Sequence, residues 1–103
     1  MDNVFLDIIS GKLEANFIYK DDVCVAFYDK FPVSKGHFLV VPIERQRNIT
    51  LESDETAAHL INVARKLAKQ EVLDKGGQGF KILINTNAPE QSVFHTHVHV
   101  IPY

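Results

Sequence analysis

The nine residues at positions 95–103 constrain the fold of this chain more than any other stretch. Three histidines alternate there with threonine and valine, and two apolar residues and a proline follow. β-Branched residues favour strands, and the side chains of a strand alternate between its two faces. We therefore expect one strand face with histidines about 6.5 to 7 Å apart and one face directed to the core, with strand pairing ending near Pro102. The histidine face holds His95, His97 and His99, and the core face holds Thr96, Val98 and Val100.

Three interpretations of the histidine face remain open at this point. The side chains could be structural, although three histidines on one face are unusual for a purely structural role. Neutral imidazoles spaced two residues apart can also converge on a zinc ion, but the outer pair would begin about 13 Å apart. The third interpretation is nucleophilic catalysis, in which one imidazole attacks and its neighbours orient it and handle protons.

Composition restricts the class of protein. A chain of 103 residues suits one domain, and 46% hydrophobic with 23% charged residues is typical of a soluble globular protein. A net charge of −2 offers no basic surface for duplex nucleic acid. No basic leader or long apolar run is present, so we expect neither a signal peptide nor a membrane span. The single cysteine, Cys24, lies in an apolar run, which predicts a buried thiol and a cytoplasmic location.

The hydrophobic pattern predicts five strands and a short first helix. Asn3 is placed to cap that helix, which should end at Ser10 before Gly11. Phe17–Tyr19 and Val23–Tyr28 should form a hairpin around a polar turn. The remaining predicted strands are His37–Val41, stopped by Pro42, then Phe80–Ile84, and finally the histidine strand after a polar loop over residues 85–92.

One long helix is predicted from about Ser53 to Lys75. Ser53 can cap it, and Gly76 can end it. Apolar residues recur at helical spacing along one stripe. The predicted buried stripe is Ala57, Leu60, Ile61, Ala64, Leu67, Ala68 and Val72. Together these elements predict an α+β domain with a mainly antiparallel five-stranded sheet.

Several blocks of the sequence, in order, resemble the histidine triad family. The last block, His-Thr-His-Val-His-Val at positions 95–100, is similar to that family's alternation of histidines and hydrophobic residues. The other blocks cover most of the chain: Phe5 with Ile8-Ile9, Asp21-Asp22, Ala26-Phe27-Tyr28-Asp29, Pro32, Gly36 to Pro42, Asn85, and Gln91-Ser92-Val93. The resemblance is greatest to the nucleotide-binding, phosphoramidase-like branch.

The resemblance implies a two-fold homodimer that binds purine nucleotides and cleaves at the α-phosphate through a nucleotidyl-histidine intermediate, without a cofactor or metal. It makes His97 the nucleophile and places His99 on the phosphate, with His95 and His37 in support. Asp29 would hold the ribose hydroxyls through charge-assisted hydrogen bonds. The resemblance assigns the walls of the base site to Phe5, Ile8, Leu13 and Phe27, and the polar loop near the phosphate to Asn85, Gln91 and Ser92.

Three positions depart from the family pattern. Glu90 stands where a glycine is usual, and its carboxylate would repel a phosphate unless it points outward. The loop before Gln91 is one residue shorter and contains Pro89, and Lys30 replaces an apolar residue beside the base site. The expected substrates are nucleoside phosphoramidates or related adenylates. The alternatives are a dinucleoside polyphosphate hydrolase, a nucleotide-binding module with weak turnover, and a zinc-binding protein.

Overall fold

The computed structural model describes residues 3–103, which form two α-helices and five strands. The predicted α+β class with an antiparallel five-stranded sheet is confirmed. The elements in chain order are α1 (Val4–Ser10), β1 (Phe17–Lys20), β2 (Cys24–Tyr28), β3 (Phe38–Pro42), α2 (Asp54–Ala68), β4 (Phe80–Leu83) and β5 (Val98–Pro102). A 3₁₀ turn, Ile49–Leu51, precedes α2, and a π-helical turn, Lys69–Leu73, follows it.

The strand order in the sheet is β1-β2-β3-β5-β4, and every neighbouring pair is antiparallel. The first three strands therefore form a meander, and the histidine-bearing β5 lies between β3 and β4. In the β3–β5 register, Leu39 is opposite His99 and Val40 is opposite Val98. Because β5 is flanked on both sides, its position is set by two ladders of backbone hydrogen bonds.

Alternation along the strands divides the core into two parts. On one face Cys24, Ala26 and Val40 pack against α2, together with Val98 and Val100 of β5. On the other face the alternate residues of β2 and β3 pack against α1. These are Val25, Phe27, Leu39 and Val41, which enclose Phe5 and Ile8 of α1. The predicted burial of Val98, Val100 and Cys24 is confirmed.

The long helix agrees with its predicted start and differs in its last turns. Ser53 Oγ accepts the Thr56 amide at 3.1 Å, as the cap prediction requires. The α-helix gives way to the π turn after Ala68, before the predicted end at Lys75. Ile61, assigned to the buried stripe, is 37% exposed, because it lies about 100° around the helix from Leu60. Val63 is buried in its place.

Two other local predictions are wrong in detail. His95 and His97 precede β5, which begins at Val98, so only His99 belongs to the ladder. The Thr96 amide instead donates to the Gln46 carbonyl at 3.0 Å, which ties this segment to the chain after β3. The Asn3 side chain does not cap α1. Its Oδ1 accepts Arg45 Nη1 at 3.2 Å, a contact from a distant loop.

Within residues 3–103, no helix has the length and hydropathy needed to cross a bilayer.

Candidate active site

A cavity of about 580 Å³ opens between α1, the ends of β2 and β3, and the histidine segment. We call it the α1 cavity. Of the predicted site residues, the cavity brings together Phe5, Ile8, Leu13, Phe27, Asp29, Ser92, His97 and His99. His37, His95, Gln91 and Asn85 do not line it. The apolar side chains form one part of the wall, and the two histidines lie with Ser92 and Asp29 in the same enclosure.

His97 is held in one tautomer by a backbone carbonyl. Its Nδ1 lies 2.7 Å from the carbonyl oxygen of His95 and donates to it, since a carbonyl can only accept. The neutral ring therefore carries its lone pair on Nε2. Burial lowers the pKa of His97, against smaller effects of the His95 carbonyl and the Asp29 carboxylate. A neutral ring with a free Nε2 is the form that a nucleophilic histidine requires.

His37 and His99 form a hydrogen-bonded relay. The Val33 amide donates to His37 Nδ1 at 3.0 Å, so the proton of this neutral ring lies on Nε2. That atom is 3.0 Å from His99 Nδ1, which must then accept. His99 consequently carries its proton on Nε2, a buried atom with no protein partner among the described residues. The relay thus places the Nε2–H group of His99, which lacks an acceptor among the described residues, beside the α1 cavity.

His95 supports the site without lining the cavity. Its ring is fully buried, and Nε2 donates to the Pro42 carbonyl at 2.8 Å. Phe5 packs edge-on against His95 at 5.7 Å and against His97 at 4.9 Å between ring centroids. His95 therefore acts in two ways: its ring anchors the segment to β3, and its carbonyl orients His97.

Asp29 directly follows strand β2, and its carboxylate lies near the His37–His99 relay. Its Oδ1 accepts the Phe31 amide at 2.9 Å, and its Oδ2 lies 3.5 Å from His37 Nε2. The side chain is 19% exposed and lines the cavity. A carboxylate in this setting can accept hydrogen bonds from vicinal hydroxyls.

The polar loop differs from its predicted role. Gln91 is buried and bonds only to the loops: Nε2 donates to the carbonyls of Arg47 and Val93, and Oε1 accepts the Asn87 amide. Gln91 therefore shapes the loop that presents Ser92 to the cavity. Asn85 is half-buried outside the cavity, and Glu90 is exposed and also outside it. Glu90 thus takes no part in the wall of the enclosure.

Several residues that line the cavity were not predicted from the sequence. Apolar contributions come from Val4, Ala15, Leu39 and Val93, and the more polar or exposed ones from Glu14, Asn16, Tyr28, Lys30 and Phe31. Of the latter group, Lys30 was expected beside the base site as a departure from the family pattern, and Tyr28 belongs to one of the resembling blocks. Phe31 is 84% exposed. Tyr28, Leu39 and Val93 lie in the blocks that resemble the family, but the pattern did not show that their side chains would line a cavity.

The triad as a whole does not converge on one point as a metal site would require. His95 and His97 each use one ring nitrogen on a backbone carbonyl. The donor atoms of Asp29, His37 and His99 do lie within 4.8 Å of one another. A metal there would have to replace the His37–His99 hydrogen bond.

Comparison with known proteins agrees with this geometry. The HIT domain model matches residues 10–103, so the chain belongs to the HIT, or histidine triad, family. It is 51% identical to an uncharacterized HIT-like protein of Mesomycoplasma hyorhinis over 104 residues, covering 99% of this chain and 93% of that protein. It is 30% identical to the purine nucleoside phosphoramidase of Escherichia coli strain K12, covering 97% of this chain and 86% of the enzyme.

Solved structures share the fold. A Bartonella henselae Hit-like protein, described as involved in cell-cycle regulation and crystallised with an unknown ligand, superposes with a TM-score of 0.91 at 31% identity. The match covers 99% of this chain and 80% of that one.

The buried histidines predict a loss of stability in mild acid. Burial, then His97 and His37, lower the pKa of His99 to about 4. An unfolded histidine titrates near 6.5, so as pH falls from about 6.5 to about 4 only the unfolded chain takes up this proton. The free energy of unfolding should therefore decrease across this window and be unaffected by this group above it. Urea unfolding at about pH 7 and about pH 5 measures the effect.

The matched variant is His99→Gln, which keeps a side-chain N–H but does not titrate. Its free energy of unfolding should fall less between the two pH values than that of the wild type. Equal decreases in the two proteins would contradict the assignment of His99 as a neutral buried ring.

Proposed function

We propose that the protein is a purine nucleotide-binding hydrolase that cleaves nucleoside phosphoramidates or related adenylates at the α-phosphate. The observation that carries the proposal is the pairing of two neutral imidazoles in one cavity. His97 offers a lone pair on Nε2, and His99, with its ring centroid 4.8 Å away, offers an Nε2–H that has no partner within residues 3–103. A nucleophile and a donor for phosphoryl oxygen thus lie side by side.

In the first step, His97 Nε2 attacks phosphorus and the bond from phosphorus to the leaving nitrogen breaks. The leaving nitrogen takes a proton, either from the substrate's own ammonium form or from a neighbouring imidazole. The positive charge that grows on His97 is shared with the His95 carbonyl through the 2.7 Å Nδ1 hydrogen bond. His99 Nε2–H and the Ser92 hydroxyl can donate to the phosphoryl oxygens.

In the second step, water attacks the nucleotidyl-histidine. The bond between phosphorus and Nε2 breaks, the nucleoside monophosphate leaves, and the neutral ring of His97 is restored. The water proton passes to a base such as the leaving imidazole and then to solvent. The same two steps applied to a phosphoric anhydride describe the dinucleoside polyphosphate alternative, so the leaving group is what assays must distinguish.

The remaining cavity walls suit a nucleoside. Phe5 and Phe27 pack edge-on at 5.8 Å, and with Ile8 and Leu13 they present an apolar surface to a purine. Asp29 lies in the same cavity as His99. We assign Asp29 to the ribose hydroxyls on this basis.

Replacement of the nucleophile gives the first functional test. His97→Ala should abolish hydrolysis of an adenosine phosphoramidate, because no other ring in the cavity offers a lone pair on a free nitrogen. Binding of a nucleoside monophosphate, measured by calorimetry, should persist. Mass spectrometry of the acid-sensitive adduct in wild type should place the nucleotidyl group on His97. A variant with a near-normal rate would remove His97 from this role.

The ribose assignment is tested with a pair of ligands. Asp29→Ala should weaken binding of a purine nucleoside monophosphate by about 1.5 to 3 kcal/mol, the range for a hydrogen bond to a charged group. Wild type should prefer the ribonucleotide to its 2′-deoxy analogue, and the variant should lose that preference. Asp29→Asn serves as the control for the loop, because its amide oxygen still accepts the Phe31 amide. An unchanged preference in Asp29→Ala would disprove the assignment.

We also propose a two-fold homodimer formed through α2 and β4. β4 is an edge strand whose outer side has no partner among the described residues. Ile82 and Ile84 are only half-buried, and Ile61 on α2 and Leu73 in the π-helical turn that follows it are more than a third exposed. Pairing of identical edges about a two-fold axis covers such surfaces and leaves no edge for further association.

Sedimentation at micromolar concentration should show a species of twice 11.7 kDa. Ile61→Asp should shift the species towards monomer, because it places a charge in the proposed interface. Leu51→Asp, a change at an exposed residue outside α2 and β4, should not. A single wild-type species near 11.7 kDa would refute the dimer.

A further inference from the structure

A second group of potential metal ligands lies on the face of the sheet opposite to the α1 cavity. Asp21, in the turn between β1 and β2, Cys24, at the start of β2, and His59, on α2, place one donor atom each within 4.8 Å of one another. We call these residues the Asp21 cluster. Neither the proposed hydrolysis nor the α1 cavity uses any of them.

We propose that the Asp21 cluster is a binding site for a thiophilic divalent cation such as Zn²⁺, with Asp21 Oδ2, Cys24 Sγ and His59 Nε2 as its three protein ligands. Carboxylate, thiolate and imidazole are together typical of zinc rather than of magnesium or calcium. One carboxylate and one thiolate also balance the charge of a dication. Three protein ligands leave a fourth position for water.

The distances are close to those that a tetrahedral zinc needs. Bond lengths of about 2.0 to 2.3 Å place neighbouring ligand atoms about 3.3 to 3.6 Å apart. Cys24 Sγ is 3.8 Å from Asp21 Oδ2, and His59 Nε2 is 2.6 Å from the same oxygen. Binding therefore requires the imidazole and the carboxylate to separate by about 0.7 Å. His59 lies 37% exposed on the outer part of the group, so its ring has room to move.

Hydrogen bonds already orient the carboxylate for one-oxygen coordination. The amides of Val23 and Cys24 donate to Oδ1 at 2.7 and 2.8 Å, which leaves Oδ2 to face the other ligands. The Tyr19 hydroxyl donates to Oδ2 at 2.7 Å. Such outer hydrogen bonds orient ligands in metal sites and can remain when the ion is bound. The Cys24 side chain is fully buried, with its sulfur directed at the carboxylate.

Binding exchanges protons for the ion. Burial and the neighbouring Asp21 carboxylate raise the pKa of the Cys24 thiol to about 12, so without an ion the sulfur is protonated. The thiol proton leaves to solvent as the S–metal bond forms. His59 becomes the Nδ1–H tautomer, so that Nε2 presents its lone pair. Affinity should consequently rise with pH.

Cobalt titration of the chelator-treated full chain tests the site, because Co²⁺ reports its ligands spectroscopically. We expect one Co²⁺ per chain, a thiolate-to-cobalt charge-transfer band in the near ultraviolet, and displacement of that band by Zn²⁺. His59→Ala should weaken Co²⁺ binding at least ten-fold, and Cys24→Ser should remove the band. Tyr19→Phe should weaken binding while retaining the band. Circular dichroism checks that each variant is folded.

His99→Ala is the matched control, because the only other candidate set among residues 3–103, Asp29 with His37 and His99, contains no sulfur. The charge-transfer band should survive in this variant. Three results would overturn the proposal: no Co²⁺ binding, binding without a thiolate band, or a band unaffected by His59→Ala. Since His59 is partly exposed, its variant should fold even if the Cys24 variant does not.

Discussion

The antiparallel pairing of β3 with β5 is the interaction on which the site depends. Leu39 pairs with His99, and as a result His37, the residue just before β3, reaches the same end of the sheet as the triad. This register brings His37 Nε2 to 3.0 Å from His99 Nδ1. A slip of one residue would direct His99 to the α2 face, because side chains alternate along a strand. Since β2 and β4 flank the pair, this register is reinforced on both sides.

The alternation of side chains explains how much of the fold was predictable. The hairpin, the two central strands and the capped helix follow from local patterns, and each lies within a few residues of its predicted place. The conformation of His95 and His97 was not predictable in this way. Their sequence alternates as a strand does, but the hydrogen bond from Thr96 to Gln46 joins this segment to a loop some 50 residues earlier. A contact between distant segments has no counterpart in local periodicity.

The polar residues of the site show the same limit more clearly. Sequence resemblance placed Gln91 and Ser92 together near a phosphate, yet Ser92 lines the cavity and Gln91 lies buried beneath the loop. The Gln91 side-chain amide forms its hydrogen bonds with backbone atoms of residues 47, 87 and 93. A motif identifies which residues are needed, but neighbouring polar side chains in a loop can face solvent or the interior. Only the fold decides between contact with a ligand and support of the loop.

In the hydrolysis that we propose, neutral imidazoles have a physical advantage over lysine or arginine. A permanent cation would bind the phosphate of substrate and monophosphate product alike, which strengthens binding without selectively lowering the barrier. Neutral donors cost less to bury and interact more strongly as charge develops on the phosphoryl oxygens. Burial lowers the pKa of His37, His97 and His99. The same desolvation that costs stability in acid therefore keeps the lone pair of His97 available near neutral pH.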